Sequence, residues 1–327
     1  MKLATYLNLN HQERIGSVNT NTQTVLDLQA CYIAKYKKEN PAFKTMLDLI
    51  DAGKEALDEA QALSDHFKGD IQFQHNLRDI QLLSPVPEPR QIRDFNNAEG
   101  HWRNAPAGME ILRARLSNKP VPNRSDISVT IPEVNYTQPI FYISNRFNVV
   151  GHDATVTWPK YSNWFDYEGE FGVYIAKKGK NISQSEAKDY IFGYSIFNDF
   201  SARDKQMREM EGRMGPTKGK SFDTGNAIGP WIVTKDEIDN AQNLKVTVRV
   251  NHEVWGESST TTMVHSFEKI IEYISESETI HPGEFLGSGT IAGCCSLECD
   301  KWMKDGDTIE IEFEKLGVLR NKVARER

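Results

Sequence analysis

Apolar and polar residues alternate from Tyr167 to Ile175, where Phe171, Val173 and Ile175 fall on one side of an extended chain. The period of two predicts a strand with one buried face, and it places Glu168 and Glu170 together on one face. A second apolar run, Tyr190 to Phe197, predicts another strand that ends in Asn198-Asp199. Between them, Ser183 followed three residues later by Glu186 has the form of a capping box, which predicts a helix from Gln184 that stops before Gly193. Toward the N-terminus, Leu3 to Leu7, Arg14 to Val18 and Val25 to Leu28 are short apolar stretches divided by polar turns, a β-rich pattern. Pro41 to Phe67 carries apolar residues near helical spacing, with an interruption expected at Gly53. Leu244 to Val250 and Val254-Trp255 flank Asn251-His252 as a hairpin, Ser266 to Ile274 reads as an amphipathic helix, and Thr308 to Phe313 as a closing strand.

These elements give an α+β chain that is mainly β. The proline-rich joint Pro85-Val86-Pro87-Glu88-Pro89 suits an extended linker. It divides a small β-rich cap with a helix, residues 1–85, from a larger unit, residues 90–327. Composition narrows the partners: a net charge of −7 and an isoelectric point near 5.7 argue against nucleic acid. No segment approaches 18 uninterrupted apolar residues and the first residues lack a signal-peptide core, so no membrane partner and a cytoplasmic location are expected. Cys31, Cys294, Cys295 and Cys299 form no C-x2-C pair and read as reduced thiols.

The chemistry concentrates between Asp166 and Gln206. Carboxylates of Glu168, Glu170 and Asp199 brought into one desolvated site would raise each other's pKa unless a cation lay between them. Oxygen ligands of this type suit Mg2+, with Mn2+ or Ca2+ as substitutes. Upstream, Asp94 precedes His101 by seven residues in a stretch, IRDFNNAEGHWRNA, that reads as a loop or short lid. Arg203 and Gln206 follow Asp199 by four and seven residues, a helical spacing. Each feature also has a plainer reading: Glu168 and Glu170 as the wet face of a strand, Asp199 as a helix cap, His101 as a structural or exposed histidine. The glycine-rich turn Gly287 to Gly293 is not a phosphate loop, because no Gly-Lys-Ser/Thr follows it.

The segments YEGEF, IFGYSIFNDFSARDKQ, GKSFDTGNAIGPWIV and FLGSGTIAG, in that order, resemble the fumarylacetoacetate hydrolase family from about Arg93 to the C-terminus. The resemblance implies the family's mixed β-sandwich roll, a homodimer, and a divalent cation, Mg2+ first, held by Glu168, Glu170, Asp199 and Asp94. It implies His101 as general base with Glu298 orienting it, and Arg203, Gln206 and Lys220 supporting developing negative charge. Thr290 corresponds to a residue that contacts the substrate carboxylate. The expected reaction is hydrolysis of a carbon–carbon bond in a 1,3-diketo acid, a small oxo-acid substrate such as an acylpyruvate. Oxaloacetate decarboxylation or tautomerisation, or hydration and dehydration of 2-keto-3-deoxy sugar acids, is the alternative on the same scaffold, and a non-catalytic binding protein is a further one. Two departures are visible: Asn96 stands where the hydrolase branch has a tyrosine, and Glu298 lies closer to the Gly-Thr-Ile turn than in that branch.

Overall fold

A computed structural model describes residues 1–327. Its spine is three long antiparallel strands, Gly169–Ile175, Ile191–Asp199 and Asn226–Thr234, in which every residue is buried. The first of them was expected to bury one face, and here the structure differs. Phe171, Val173 and Ile175 point into a 45-residue apolar core, while Tyr174 points into a second core of 21 residues. The alternation is genuine, but both sides of this sheet are covered, as a central strand in a layered fold requires.

What covers each side follows from the flanking sequence. The strands Glu253–Ser259, Lys245–Val250, Thr308–Phe313, Gly317–Arg325 and Thr155–Trp158 form a five-stranded sheet in that order. Its inward positions Val246, Val248, Val250, Ile309, Ile311 and Phe313 alternate strictly and close the larger core. The opposite face is covered by the helices Leu28–Tyr36 and Met46–Phe67. Thr45 caps the second of these, accepting from Asp48 N at 3.1 Å, and Gly53 breaks it with φ 71° as its sequence position foretells. The α+β class holds, with about 31% helix and 32% strand, and the sheets are mixed.

The N-terminal strands are continuous with the main sheet. Lys2–Leu7 pairs antiparallel with Asn226–Thr234, Lys2 opposite Val233 and Leu3 opposite Ile232. The whole sheet has twelve strands and reaches from Gln74–Asn76 at one edge to Ile140–Ser144 at the other. No helix is long and apolar enough to cross a membrane.

Three local expectations change. Residues after Ser183 form only a 3-10 turn, Ala187–Tyr190, because the chain enters the strand at Ile191 before a second turn is possible. Half of the capping box forms nevertheless: Ser183 N donates to Glu186 Oε2 at 3.3 Å, while Glu186 N donates to the Ser183 carbonyl oxygen at 3.0 Å and not to its hydroxyl. The expected loop after Asp94 is instead the strand Ile92–Asn96 followed by an 18-residue helix, Glu99–Leu116. Pro106 and Gly108 disguise it in the sequence. Gly108 is required by contact, since a Cβ there would lie 2.2 Å from the Leu297 carbonyl oxygen. Asp199 ends a strand and the helix Arg203–Met210 begins four residues later, so Asp199 shares no helical face with Arg203 and Gln206.

Candidate active site

Neighbouring strands bring distant carboxylates to one place. Asp94 lies opposite Gly287 in a parallel pairing and opposite Tyr142 in an antiparallel one. The strand ending at Gly287 pairs in turn with Gly169–Ile175, which carries Glu170, and that strand pairs with Ile191–Asp199. Gly287 is needed here: a Cβ would stand 2.6 Å from Asp94 Oδ1.

Asp94, Glu170 and Asp199 are all buried, and one oxygen from each lies within 4.8 Å of the others. Asp94 Oδ1, Glu170 Oε2 and Asp199 Oδ1 have no hydrogen-bond partner. Buried charge without a partner is expensive. Burial and the charge of Asp199 push the Asp94 carboxyl well above its usual range, and burial with Asp94 and Glu168 nearby does the same to Glu170. Burial also raises Asp199, against the opposing pull of Lys220. Only two neutral donors serve the cluster, Tyr142 OH to Asp199 Oδ2 at 2.6 Å and Thr290 Oγ1 to Glu170 Oε1 at 3.3 Å. Three convergent oxygens with free lone pairs fit a hard divalent cation, and the cluster can bind a metal ion.

Glu168, expected among the ligands, faces the same cleft but has both oxygens on cations. Arg203 Nη2 donates to its Oε1 at 2.7 Å, and Lys220 Nζ donates to its Oε2. Burial alone would raise its pKa; the two cations outweigh burial and hold the carboxyl well below its usual range. Arg203 also donates from Nε to Asp166 Oδ2 at 2.6 Å and from Nη1 to Gln206 Oε1 at 2.8 Å. Its guanidinium is therefore engaged by protein groups on three sides. Lys220 reaches Asp199 Oδ2 as well, and although burial works against its charge, Asp199 and Glu168 keep its pKa above the usual lysine value.

On the other side of the cleft, His101 sits in the first turn of the helix Glu99–Leu116, and its Nδ1 lies 3.5 Å from Glu298 Oε2. Glu298 belongs to the short helix Ser296–Cys299 and is held by Gly293 N, which donates to Oε2 at 2.8 Å. The expected pairing of His101 with Glu298 is thus present in space, despite the shortened spacing. Asp94, Glu168, Glu170 and His101 line a cleft of about 650 Å³, whose apolar wall includes Trp102, Met109, Phe141 and Met207, and Asp199 lies behind them. Gln206, Lys220 and Thr290 line it too.

Three residues at the site escaped the sequence reading. Tyr142 was part of a strand with no assigned role, yet a tyrosine does reach the cluster, from the strand opposite Asp94 and not from position 96. Asp166, which accepts from Arg203 and from Ser296 N at 2.7 Å, carried only the signal of lying two residues before Glu168. Cys295 stands beside Glu298 and His101, where adjacency in the chain to Cys294 suggested nothing beyond a buried thiol.

Fold and site together define an α+β protein with a buried carboxylate cluster that can hold a cation, facing a histidine–glutamate pair across an apolar cleft. The chain belongs to the fumarylacetoacetate hydrolase family: the model of that family's C-terminal domain matches residues 93–324. A mitochondrial oxaloacetate tautomerase, fahd2 of Xenopus laevis, is 31% identical over 314 residues, 95% of this chain and 86% of that protein. Among solved structures, fumarylacetoacetate hydrolase from psychrophilic Exiguobacterium antarcticum superposes with a TM-score of 0.72 at 23% identity, covering all of both chains. Maleylpyruvate hydrolase from Sphingobium sp. SYK-6, in complex with manganese(II) and pyruvate, gives 0.69 at 20% identity with the same coverage.

Proposed function

We propose that the protein is a divalent-cation-dependent hydrolase that cleaves a carbon–carbon bond in a small 1,3-diketo acid, such as an acylpyruvate. The observation that carries this reading is the meeting, around one cleft lined by Asp94, Glu170 and His101, of three unsatisfied carboxylate oxygens with a histidine backed by glutamate. Asp94, Glu170 and Asp199 would hold Mg2+ or Mn2+, with Glu168 near it, and the cation would supply charge that polarises a carbonyl. The manganese of the Sphingobium structure is consistent with that assignment. His101 does the proton work. Glu298 against Nδ1 favours the tautomer that leaves Nε2 free to take a proton from water, and it stabilises the imidazolium that results. Lys220, with Arg203 and Gln206 behind it, balances negative charge as it develops on the substrate. Thr290 and Gln206 are the proposed contacts to the substrate carboxylate. A homodimer acting in the cytoplasm completes the proposal.

A second reading has specific support in the Xenopus laevis relative, an oxaloacetate tautomerase. Tautomerisation needs a proton moved between carbon and oxygen, and no attacking water. The two reactions separate in one experiment with acylpyruvates and oxaloacetate in parallel, with Mg2+ or Mn2+. Hydrolysis gives loss of diketo-acid ultraviolet absorbance and two products by NMR, abolished by a chelator, and His101→Ala lowers turnover by about 10²- to 10⁴-fold. Enol–keto exchange of oxaloacetate without cleavage of any diketo acid would replace the hydrolase reading with the tautomerase one.

A further inference from the structure

The side of the cleft that carries His101 holds donors of a different kind from the carboxylate cluster. His101 Nδ1 lies 3.9 Å from Cys295 Sγ and 3.5 Å from Glu298 Oε2, and Cys295 Sγ lies 3.4 Å from that same oxygen. Zinc binds nitrogen and oxygen at about 2.0 Å and sulfur at about 2.3 Å in a tetrahedron, which sets ligand separations of about 3.3 Å for N···O and about 3.5 Å where sulfur is one partner. The observed triangle departs from these edges by about 0.4 Å at most. One face of a zinc tetrahedron is therefore already laid out.

Two further observations point to a ligand here. Glu298 has a side chain only 3% exposed, and its Oε1 has no hydrogen-bond partner. Its Oε2 is fixed by Gly293 N, the kind of outer support that orients metal-binding carboxylates. Cys295 and Glu298 are one turn apart across the start of the helix Ser296–Cys299, while His101 comes from a different helix and lines the cleft, the side from which an ion would reach it. The chemistry separates the two sites. Asp94, Glu170 and Asp199 offer oxygen alone, suited to a hard cation, whereas a sulfur, a nitrogen and an oxygen select a softer one.

We propose that His101, Cys295 and Glu298 form a second metal site that takes Zn2+, and that zinc bound there switches the enzyme off by occupying the proton-accepting histidine. Binding converts the Cys295 thiol to a zinc-bound thiolate and releases its proton to solvent, and the His101 proton moves from Nδ1, which zinc takes, to Nε2, which can then no longer accept one from water; no oxidant or reductant is involved. The inhibition rests on the role proposed for His101 in turnover, whereas the binding does not.

Cobalt(II) tests the site without reference to turnover. The full chain, kept in excess Mg2+ to fill the carboxylate cluster, is titrated with Co2+. A near-ultraviolet thiolate-to-cobalt charge-transfer band and strong visible bands of tetrahedral cobalt are expected, both displaced by about one equivalent of Zn2+. They should vanish in Cys295→Ala and persist in Cys299→Ala. No charge-transfer band in the wild-type protein, or one unchanged in Cys295→Ala, overturns the site. In the activity arm, Zn2+ should inhibit Mg2+-supported turnover, and Cys295→Ala, measured against its own zinc-free turnover, should need roughly tenfold more Zn2+ or above for half-inhibition. Equal zinc sensitivity of the two proteins overturns the switch. Cobalt bands in a protein that turns over no oxo acid would retain the zinc site and reject the proposed reaction.

Discussion

Two clusters of buried charge lie against each other in this molecule, and they differ in balance. Asp166 and Glu168 are matched by Arg203 and Lys220, so two negative groups meet two positive ones. Asp94, Glu170 and Asp199 have only the edge of Lys220, which touches Asp199 alone. Depth is the same in both, since all of these carboxylates are buried. The consequences are opposite: Glu168 is held strongly acidic, while Asp94 and Glu170 are pushed toward the neutral acid. Burial by itself does not mark a binding site. An uncompensated charge set beside a compensated one is the better candidate, because the fold has the means to pair carboxylates and leaves Asp94 and Glu170 without a cation.

The sharpest way to break the contrast is to unbalance the finished cluster. Arg203→Met would leave Asp166 and Glu168 facing each other in the interior, and the expected loss is about 3–5 kcal/mol of stability in denaturant unfolding. A loss below about 1 kcal/mol would mean that the network is not what neutralises these acids. Completing the unfinished cluster should act in the other direction. Mg2+ or Mn2+ at 100 times its dissociation constant should raise stability by about 2.7 kcal/mol at neutral pH, reversed by a chelator. No metal-dependent rise in Tm would argue that the three oxygens hold no cation.

A smaller effect comes from removing one charge from the unfinished cluster. In the metal-free protein Asp94→Asn should stabilise the fold, because it removes a buried carboxyl that burial and the charge of Asp199 already push toward its neutral form, and it should cancel the metal-induced rise. Destabilisation of the metal-free fold by this change would contradict the imbalance. The smallest effect is its pH dependence. Asp94 and Glu170 have folded pKa values raised above their unfolded values, so their contribution is fully favourable below about pH 4 and is lost as pH rises through the folded values. Glu168 is the reverse, contributing above about pH 4 and losing that contribution as pH falls through its folded value. With chelator present, the stability advantage of Asp94→Asn over wild type should therefore shrink between pH 7 and pH 5, and a gap that widens on acidification would refute the sign.

Much of this was readable from local patterns. The N-terminal strands, the break at Gly53, the 244–255 hairpin, the helix after Ser266 and the inward set Ile309, Ile311, Phe313 all obey short periods, and short periods are properties of a few consecutive residues. Glu170 and Asp199 were legible as candidate ligands through pattern, and Asp94 through the family resemblance, and the structure brings the three carboxylates together. Glu168 was legible as one of them too, but spacing along one strand states only that Glu168 and Glu170 share a side. It does not state which cations wait there.

That choice was made in three dimensions. Arg203 and Lys220 arrive from separate segments and engage Glu168, strand register sets Tyr142 opposite Asp94, and packing of Gly108 on Leu297 holds a helix that Pro106 argues against. Cys295 acquires its neighbours the same way, from a helix nearly two hundred residues earlier in the chain. The amino-acid order decides the kinds of groups and their local periodicity, since these depend on covalent neighbours. Which groups are paired and which are left bare is decided by register and packing between distant segments, and the electrostatics of a buried site depends on that pairing.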